Sequence, residues 1–192
     1  MPCPYVDEVK GEDMTTAQEL QARGVKLFQQ KDFEAAAQQF HQAQEAYEAE
    51  GKRDMAAEMR VNLGLVHRTL GENQQALDEM QAALEVFQEL DDDLRTAMVL
   101  GNMGGVYVEL NDHEQAYNCY RLAADIFEAQ GEKKLYGETL MAIGALQIDE
   151  HKLTQGAATY EVGLEQMDDL SPRQKVIKSL LGIRNKLTGT NK

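Results

Sequence analysis

The chain has 192 residues, of which 43% are hydrophobic and 27% charged, so it is long enough to bury a core without disulfides or metals. Its formal net charge is −14, and residues 171–192 contain six basic and no acidic residues, which leaves −20 on residues 1–170, the difference between −14 and +6. This acidic body argues against nucleic acid and anionic membrane as primary partners and mildly favours basic ones.

The first predicted element is a flexible acidic N-terminal tail over residues 1–13, which contain Pro2, Pro4 and four acidic residues. From Met14 to Leu170 the chain is rich in Ala, Gln, Glu, Leu and Met, which are good helix formers. Its β-branched residues never alternate over the length of a strand. The composition therefore predicts an all-α body over residues 14–170.

A shift of about 40 residues aligns this body with itself three times over. Four columns of the alignment hold small or aromatic residues: Gly24, Gly64, Gly104 and Gly144; Ala36, Ala76, Ala116 and Gly156; Phe40, Met80, Tyr120 and Tyr160; Ala43, Ala83, Ala123 and Gly163. Repeats of this length indicate a solenoid. The predicted units cover about 17–50, 57–90, 97–130 and 137–170.

Each unit is predicted to be a pair of antiparallel helices joined by a short turn. In the second unit the helices run from about Asp54 to Leu70 and from about Gln74 to Leu90, with Gly71 in the turn. Small residues in the shared columns allow the two helix axes to approach closely. One pair cannot bury both of its faces, so the units must stack.

The last predicted element is a basic helix that begins at Ser171-Pro172, a helix start signal. Its apolar face is predicted to contain Val176, Leu180, Ile183 and Leu187, and its other faces Arg173, Lys175, Lys178 and Lys186. We interpret residues 171–192 as a capping helix and tail that shield the fourth unit. A basic amphipathic helix that binds a membrane or a partner is the alternative.

The repeat resembles the tetratricopeptide repeat, which has a small residue in its first helix and an alanine, an aromatic residue and a second alanine in its second helix. The residues that carry the resemblance are Leu63, Gly64, His67, Gly71, Ala76, Met80 and Ala83 in the second unit, Gly104, Tyr107, Ala116, Tyr120 and Ala123 in the third, and Gly24, Leu27, Ala36, Phe40 and Ala43 in the first. The fourth unit departs from the pattern, because Gly156 and Gly163 replace the alanines. The period of about 40 rather than about 34 residues is similar to that of LGN/Pins adaptors, kinesin light chains and bacterial Rap-type regulators.

The resemblance implies an all-α, right-handed α-solenoid of four helix pairs plus a C-terminal capping helix. It also implies that a peptide or partner segment binds on the concave surface, at residues Gln21, Val25, Phe28, Val61, Asn62, Leu65, Arg68, Asn102, Val108, Met141 and Ile148. Asn62 and Asn102 match the position at which LGN-like and kinesin-light-chain-like groups hold a peptide backbone, since a carboxamide both donates and accepts. Alternatively, the two asparagines serve only the fold or solubility. A carboxylate clamp of the chaperone-docking type is not expected, because only Asn62 fits its pattern.

No residue pattern indicates catalysis, a metal or a cofactor. The four histidines, His41, His67, His113 and His151, lack metal-ligand spacing, and no glycine motif of a nucleotide site precedes a helix. Cys3 and Cys119 cannot form a disulfide framework, and we find no signal peptide and no apolar run long enough to span a membrane.

We therefore expect a cytoplasmic protein–protein interaction module that is not an enzyme, with a protein or peptide ligand and no nucleic acid partner. We expect it to be a monomer or a weak homo-oligomer. A Rap-type, peptide-sensing regulator that lacks an output domain and a self-assembling scaffold are the alternatives.

Overall fold

The computed structural model describes residues 16–188, with side chains described as far as Arg184. This part of the chain is helical without a strand, and its helices are α1 (Ala17–Gln29), α2 (Phe33–Ala49), α3 (Arg53–Leu70), α4 (Asn73–Glu89), α5 (Asp93–Glu109), α6 (His113–Gln130), α7 (Lys133–Asp149), α8 (Leu153–Glu165) and α9 (Pro172–Thr188). The predicted all-α array of four helix pairs and a C-terminal helix is confirmed. Within the described residues, no helix is both long and apolar enough to cross a membrane. The predicted tail over residues 1–13 lies outside the described residues.

The helices of α1 to α8 are joined by turns of one kind, each of which contains a residue with positive φ. Glycine fills this position at three turns, with φ between 72° and 79°, because it adopts the left-handed region without a steric penalty. At the other four turns the residues are Lys31, Asp91, Asn111 and His151. After three of the turns an aspartate caps the next helix by accepting a hydrogen bond from an amide of its first turn: Asp32, Asp92 and Asp112.

The columns of small residues form the contacts between paired helices. The alanines of these columns in the first three pairs are completely buried. The Phe40 ring lies against Gly24 and the Tyr120 ring against Gly104, so close that a Cβ on either glycine would be 2.7 Å from the ring. In these two pairs the aromatic column thus packs on the glycine column.

The fourth pair, α7 and α8, has glycine on both sides of its interface. A Cβ on Gly156 would lie 2.6 Å from the carbonyl oxygen of Gly144, and a Cβ on Gly163 would lie 2.6 Å from that of Gly137. These distances are shorter than a Cβ tolerates, so the two backbones are in direct contact. The substitution of glycine for the alanines of the repeat is therefore a requirement of this interface.

Helix α9 packs against α8 by a different face from the one predicted. Gln174 donates a hydrogen bond to the Met141 sulfur at 3.7 Å, Arg184 donates one to Glu161 at 3.1 Å, and Ile177 and Leu181 are half-buried. By contrast, three residues predicted to form the covering face are exposed: Val176 and Leu180 to 60% each, and Ile183 to 52%. That prediction is wrong because the hydrophobic pattern identifies an apolar face but not the side on which the neighbouring helix lies. The Leu187 side chain is outside the described part.

Candidate functional site

The candidate site is the face of the first helix of each pair, which we call the inner surface, on α1, α3, α5 and α7. Two hollows open on it, and each contains one of the predicted asparagines. The N-terminal hollow measures about 330 Å³ and is lined by Val25, Phe28, Gln29, Phe40, Asn62 and Leu65. The central hollow measures about 250 Å³ and is lined by Met98, Gly101, Asn102, Tyr120, Phe127, Leu135, Glu138, Thr139 and Ala142. The structure thus brings four of the predicted residues together in the first hollow, whereas Asn102 lies in the second among residues most of which were not predicted.

Asn62 and Asn102 are both half-buried. Neither carboxamide has a hydrogen-bond partner among the residues that the structure describes, whereas many other polar side chains of this region do. Each amide therefore has a donor and an acceptor available at the edge of a hollow. The repeat places them at equivalent positions of successive pairs.

Arg68 lies between the two hollows and is already paired. Its Nε donates a hydrogen bond to Glu109 Oε1 at 2.7 Å, which links α3 to α5. The guanidinium rests on Gly105, where a Cβ would be only 2.6 Å from Nη1. A side chain at position 105 would displace Arg68, so Gly105 determines where this charge lies. Because Glu109 partly neutralises it, Arg68 is not a free anion receptor.

Tyr120 is a residue of the site that sequence reasoning assigned only to packing. Its ring covers Gly104 and also lines the central hollow. Burial raises the pKa of the Tyr120 hydroxyl, and the nearby Arg68 lowers it by less. The hydroxyl is therefore protonated at neutral pH. Phe40 has the same role in the N-terminal hollow, so the aromatic column was the signal that marked both hollows.

Two of the predicted groove residues are occupied by contacts within the protein. Met141 is 8% exposed, because α8 packs on it at Gly163 and Gln174 of α9 bonds its sulfur. The prediction that Met141 receives a ligand side chain is wrong for this reason. Gln21 accepts a hydrogen bond from Tyr47 at 2.7 Å and donates one to Glu58 at 3.3 Å, so its amide links α1 to α2 and to α3.

The remaining predicted groove residues lie on the inner helices and reach the surface. Val25 and Ile148 are exposed, and Val61 and Val108 are half-buried. Ile148, near the C-terminal end of α7, lies in neither hollow. The part of the predicted site that forms concave space is therefore confined to the first three pairs and the start of the fourth.

The titratable side chains outside the inner surface have structural roles. Burial, and secondarily Asp112, raises the pKa of the Cys119 thiol, so it is protonated at neutral pH and is a weak nucleophile. His67 forms a 2.7 Å hydrogen bond with Glu72 across the turn of the second pair. No group of three His, Cys, Asp or Glu residues in the described part is arranged to hold a metal ion.

This chain is similar to one repeat family and to several known proteins. A family model described as tetratricopeptide repeat matches residues 55–129. Protein O-mannosyl-transferase TMTC1 of Homo sapiens is 29% identical over 103 residues, which are 54% of this chain and 11% of that protein. Solved structures with the same fold include the apo form of RapI, with a TM-score of 0.74 and 17% identity, and BtubC (BKLC) from P. vanneervenii, with a TM-score of 0.64 and 20% identity.

The chain spans only part of each of these relatives. The alignment covers 90% of this chain and 47% of the RapI chain, and 86% of this chain and 64% of the BtubC chain, so this chain spans less than two thirds of each. At these identities the structural likeness establishes the fold. Together with the repeat match, it supports a protein–protein interaction module, a role for which stacked helix pairs provide extended binding surfaces.

Proposed function

We propose that this chain, in which residues 55–129 match the tetratricopeptide-repeat model, is a non-enzymatic adaptor that holds an extended segment of a partner protein along its inner surface. The observation that carries the proposal is the pair of hollows on the inner surface, each with an asparagine amide that has no partner within the described residues. An extended peptide leaves its own backbone N–H and C=O groups unpaired, and these are the groups that a carboxamide can bond.

The N-terminal hollow suits an apolar side chain of the ligand. Apart from Asn62 and Gln29 it is lined by apolar and aromatic residues, and its volume lies at the small end of the range for ligand sites, about 300–1,000 Å³. An apolar side chain would dock against Phe28 and Leu65, and Asn62 would bond the adjoining backbone. Affinity here would come from burial of apolar area, and register from the asparagine.

The central hollow suits a ligand residue with a basic or polar end. Met98 and Leu135 provide apolar walls, while Glu138 adds a carboxylate. Among the described residues, the ion-pair partner of Glu138 is Lys134, which lies 3.9 Å away on the same helix and forms a weak, exposed pair. The ligand that best fits both hollows is therefore an extended segment with an apolar residue at the N-terminal hollow and a basic one at the central hollow.

The experiment is a selection that works without a known partner. A displayed library of random peptides is panned against the full chain, and the enriched peptides are titrated by calorimetry against wild type and Asn62→Ala/Asn102→Ala. Each lost hydrogen bond is worth about 0.5–1.5 kcal/mol. We therefore expect the double variant to bind roughly ten-fold more weakly or worse, with little change in melting temperature.

Two matched variants set the limits of the test. Leu65→Asp should abolish enrichment, because it places a charge where an apolar residue docks. Gln81→Ala should have no effect, because Gln81 is an exposed residue of α4 that bonds only Glu85 among the described residues. If enriched peptides bind the asparagine variant as tightly as wild type, or if no peptide is enriched, the inner surface is not the binding site.

A further inference from the structure

Along the chain, α9 begins where the first helix of a fifth unit would begin. Its first residue, Pro172, comes one repeat period, less a single residue, after Lys133, the first residue of α7. Continuing the repeat columns through α9 aligns Ile183 with Leu63, Met103 and Ile143. Those three residues are 4%, 5% and 6% exposed, whereas Ile183 is 52% exposed. The same column is thus buried in three units and uncovered in α9.

In the second and third units this column is covered by the second helix of the preceding unit: Leu63 lies in one buried cluster with Phe40 and Tyr47 of α2, and Met103 lies beside Leu77 of α4. The corresponding neighbour of α9 is α8, but the half-buried residues of α9 are Ile177 and Leu181 rather than those of this face. Val176 and Leu180, which share the face with Ile183, are each 60% exposed. Three large apolar side chains on consecutive turns are therefore uncovered at a surface that the repeat architecture uses for helix–helix packing.

The charge of α9 indicates what kind of helix fits this face. Arg173, Lys175 and Lys178 are exposed on its first two turns, and none of them forms an ion pair within the described residues. The helices that cover the equivalent face in the second and third units are acidic: α2 and α4 contain glutamate or aspartate and no lysine or arginine. A second copy of α9 would instead bring basic residues together, which opposes self-pairing.

We infer that the face formed by Val176, Leu180 and Ile183 binds an acidic amphipathic helix of another protein, which packs on α9 as α2 packs on α3. The apolar residues of that helix cover the exposed face, and its carboxylates pair with Arg173 and Lys175 beside Val176. This surface lies at the C-terminal end of the solenoid and is separate from the inner surface proposed to hold a peptide.

The test uses a probe that is itself a second helix of this architecture. A fluorescently labelled peptide with the sequence of residues 72–91, which contain α4, is acidic and has its apolar residues at helical spacing. It is titrated into the full chain by fluorescence anisotropy. We expect saturable binding that weakens at least ten-fold in Leu180→Asp and several-fold in Arg173→Glu/Lys175→Glu, and that weakens as salt is added.

The controls separate this face from nonspecific apolar contact. Leu153→Asp replaces a leucine of α8 that is 63% exposed and should leave binding unchanged. Because Leu180 is exposed, Leu180→Asp should keep the circular dichroism and melting temperature of wild type. The full chain should not bind a peptide in which lysine replaces four acidic residues of α4, namely Asp78, Glu79, Glu85 and Glu89.

Several results would overturn the inference. It is wrong if the acidic peptide does not bind, or if it binds wild type and Leu180→Asp alike. A dimer in sedimentation experiments that dissociates in Leu180→Asp would show that a second copy covers the face. Binding to phosphatidylcholine vesicles containing phosphatidylserine, lost in Leu180→Asp while the acidic peptide fails to bind, would assign the face to a membrane surface.

Discussion

The interface between α7 and α8 predicts opposite effects for the same substitution, glycine to alanine, at two places. In Gly156→Ala/Gly163→Ala each new Cβ would lie 2.6 Å from a backbone carbonyl oxygen of α7, and no flexible side chain can move to relieve this contact. Gly101 is also in a helix interior, in α5, but a Cβ there meets no atom within 4 Å. The pair of variants therefore separates helix propensity from packing.

The magnitudes follow from these distances. Alanine is favoured over glycine within a helix by about 1 kcal/mol. Overpacking costs about 1–3 kcal/mol per site, because the helices must move apart and neighbouring contacts weaken. The double variant should lose about 2 kcal/mol net, whereas Gly101→Ala should gain up to about 1 kcal/mol. For a chain of this size about 1 kcal/mol shifts the melting temperature by roughly 2–4 °C, so the expected changes are a fall of about 4–8 °C and a rise of up to about 4 °C.

Thermal melts followed by circular dichroism and calorimetry measure both changes. Hydrogen exchange should place the loss of protection of the double variant in α7 and α8, since the other pairs do not share this interface. If the double variant melts at or above the wild-type temperature while Gly101→Ala behaves as expected, the two backbones are not in direct contact and glycine is not required between α7 and α8.

The remaining predictions concern a helix cap and the last helix. Burial acts to raise the pKa of Asp92, but its hydrogen bonds to the backbone and side chain of Arg95 outweigh burial and hold it below the ordinary carboxyl value. Asp92→Ala should therefore lower the free energy of unfolding by about 1 kcal/mol at neutral pH. Measured by urea unfolding, this difference from wild type should vanish as the pH falls through the ordinary carboxyl range to the lowered pKa of Asp92. A difference that stays constant with pH would contradict this explanation. Deletion of residues 171–192 should lower the melting temperature, because it uncovers Met141 and removes the Arg184–Glu161 ion pair; an unchanged melt would show that α9 does not stabilise the fourth pair.

The repeat pattern predicted most of the fold because local sequence determines it. One period is two helices and two turns, so the glycine and alanine columns give the helix contacts, and residues such as Gly71 and Asn111 indicate the turns. The orientation of α9 was not predictable in this way. Val176, Leu180 and Ile183 have the spacing of a buried face whether or not a helix covers them. Only the three-dimensional arrangement shows that α9 turns a neighbouring side, with Ile177 and Leu181, towards α8.

The candidate site was predicted less well because its residues interact across units. Leu65 and Gly105 occupy equivalent positions of successive units, so the repeat pattern assigns them the same place on the inner surface. In the structure, Arg68 from the preceding unit fills the space above Gly105 and closes part of the inner surface there. Met141 is buried in a similar way by Gly163 and Gln174, which come later in the chain. Such contacts join residues of different helices, and periodicity within one unit does not reveal them.

The two ends of the inner surface consequently differ in what they offer to a partner. At the N-terminal end Val25 and Asn62 border an open hollow, whereas at the C-terminal end Met141 is covered and the glycine contacts bring α8 close to α7. A peptide on the inner surface is therefore confined to the region between the N-terminal hollow and Ala142. The uncovered apolar area of the C-terminal end lies instead on α9, where lysine and arginine surround it on an otherwise acidic protein. Because these surfaces differ in both shape and charge, the proposed peptide and the proposed acidic helix should not compete, and we expect both to bind at once.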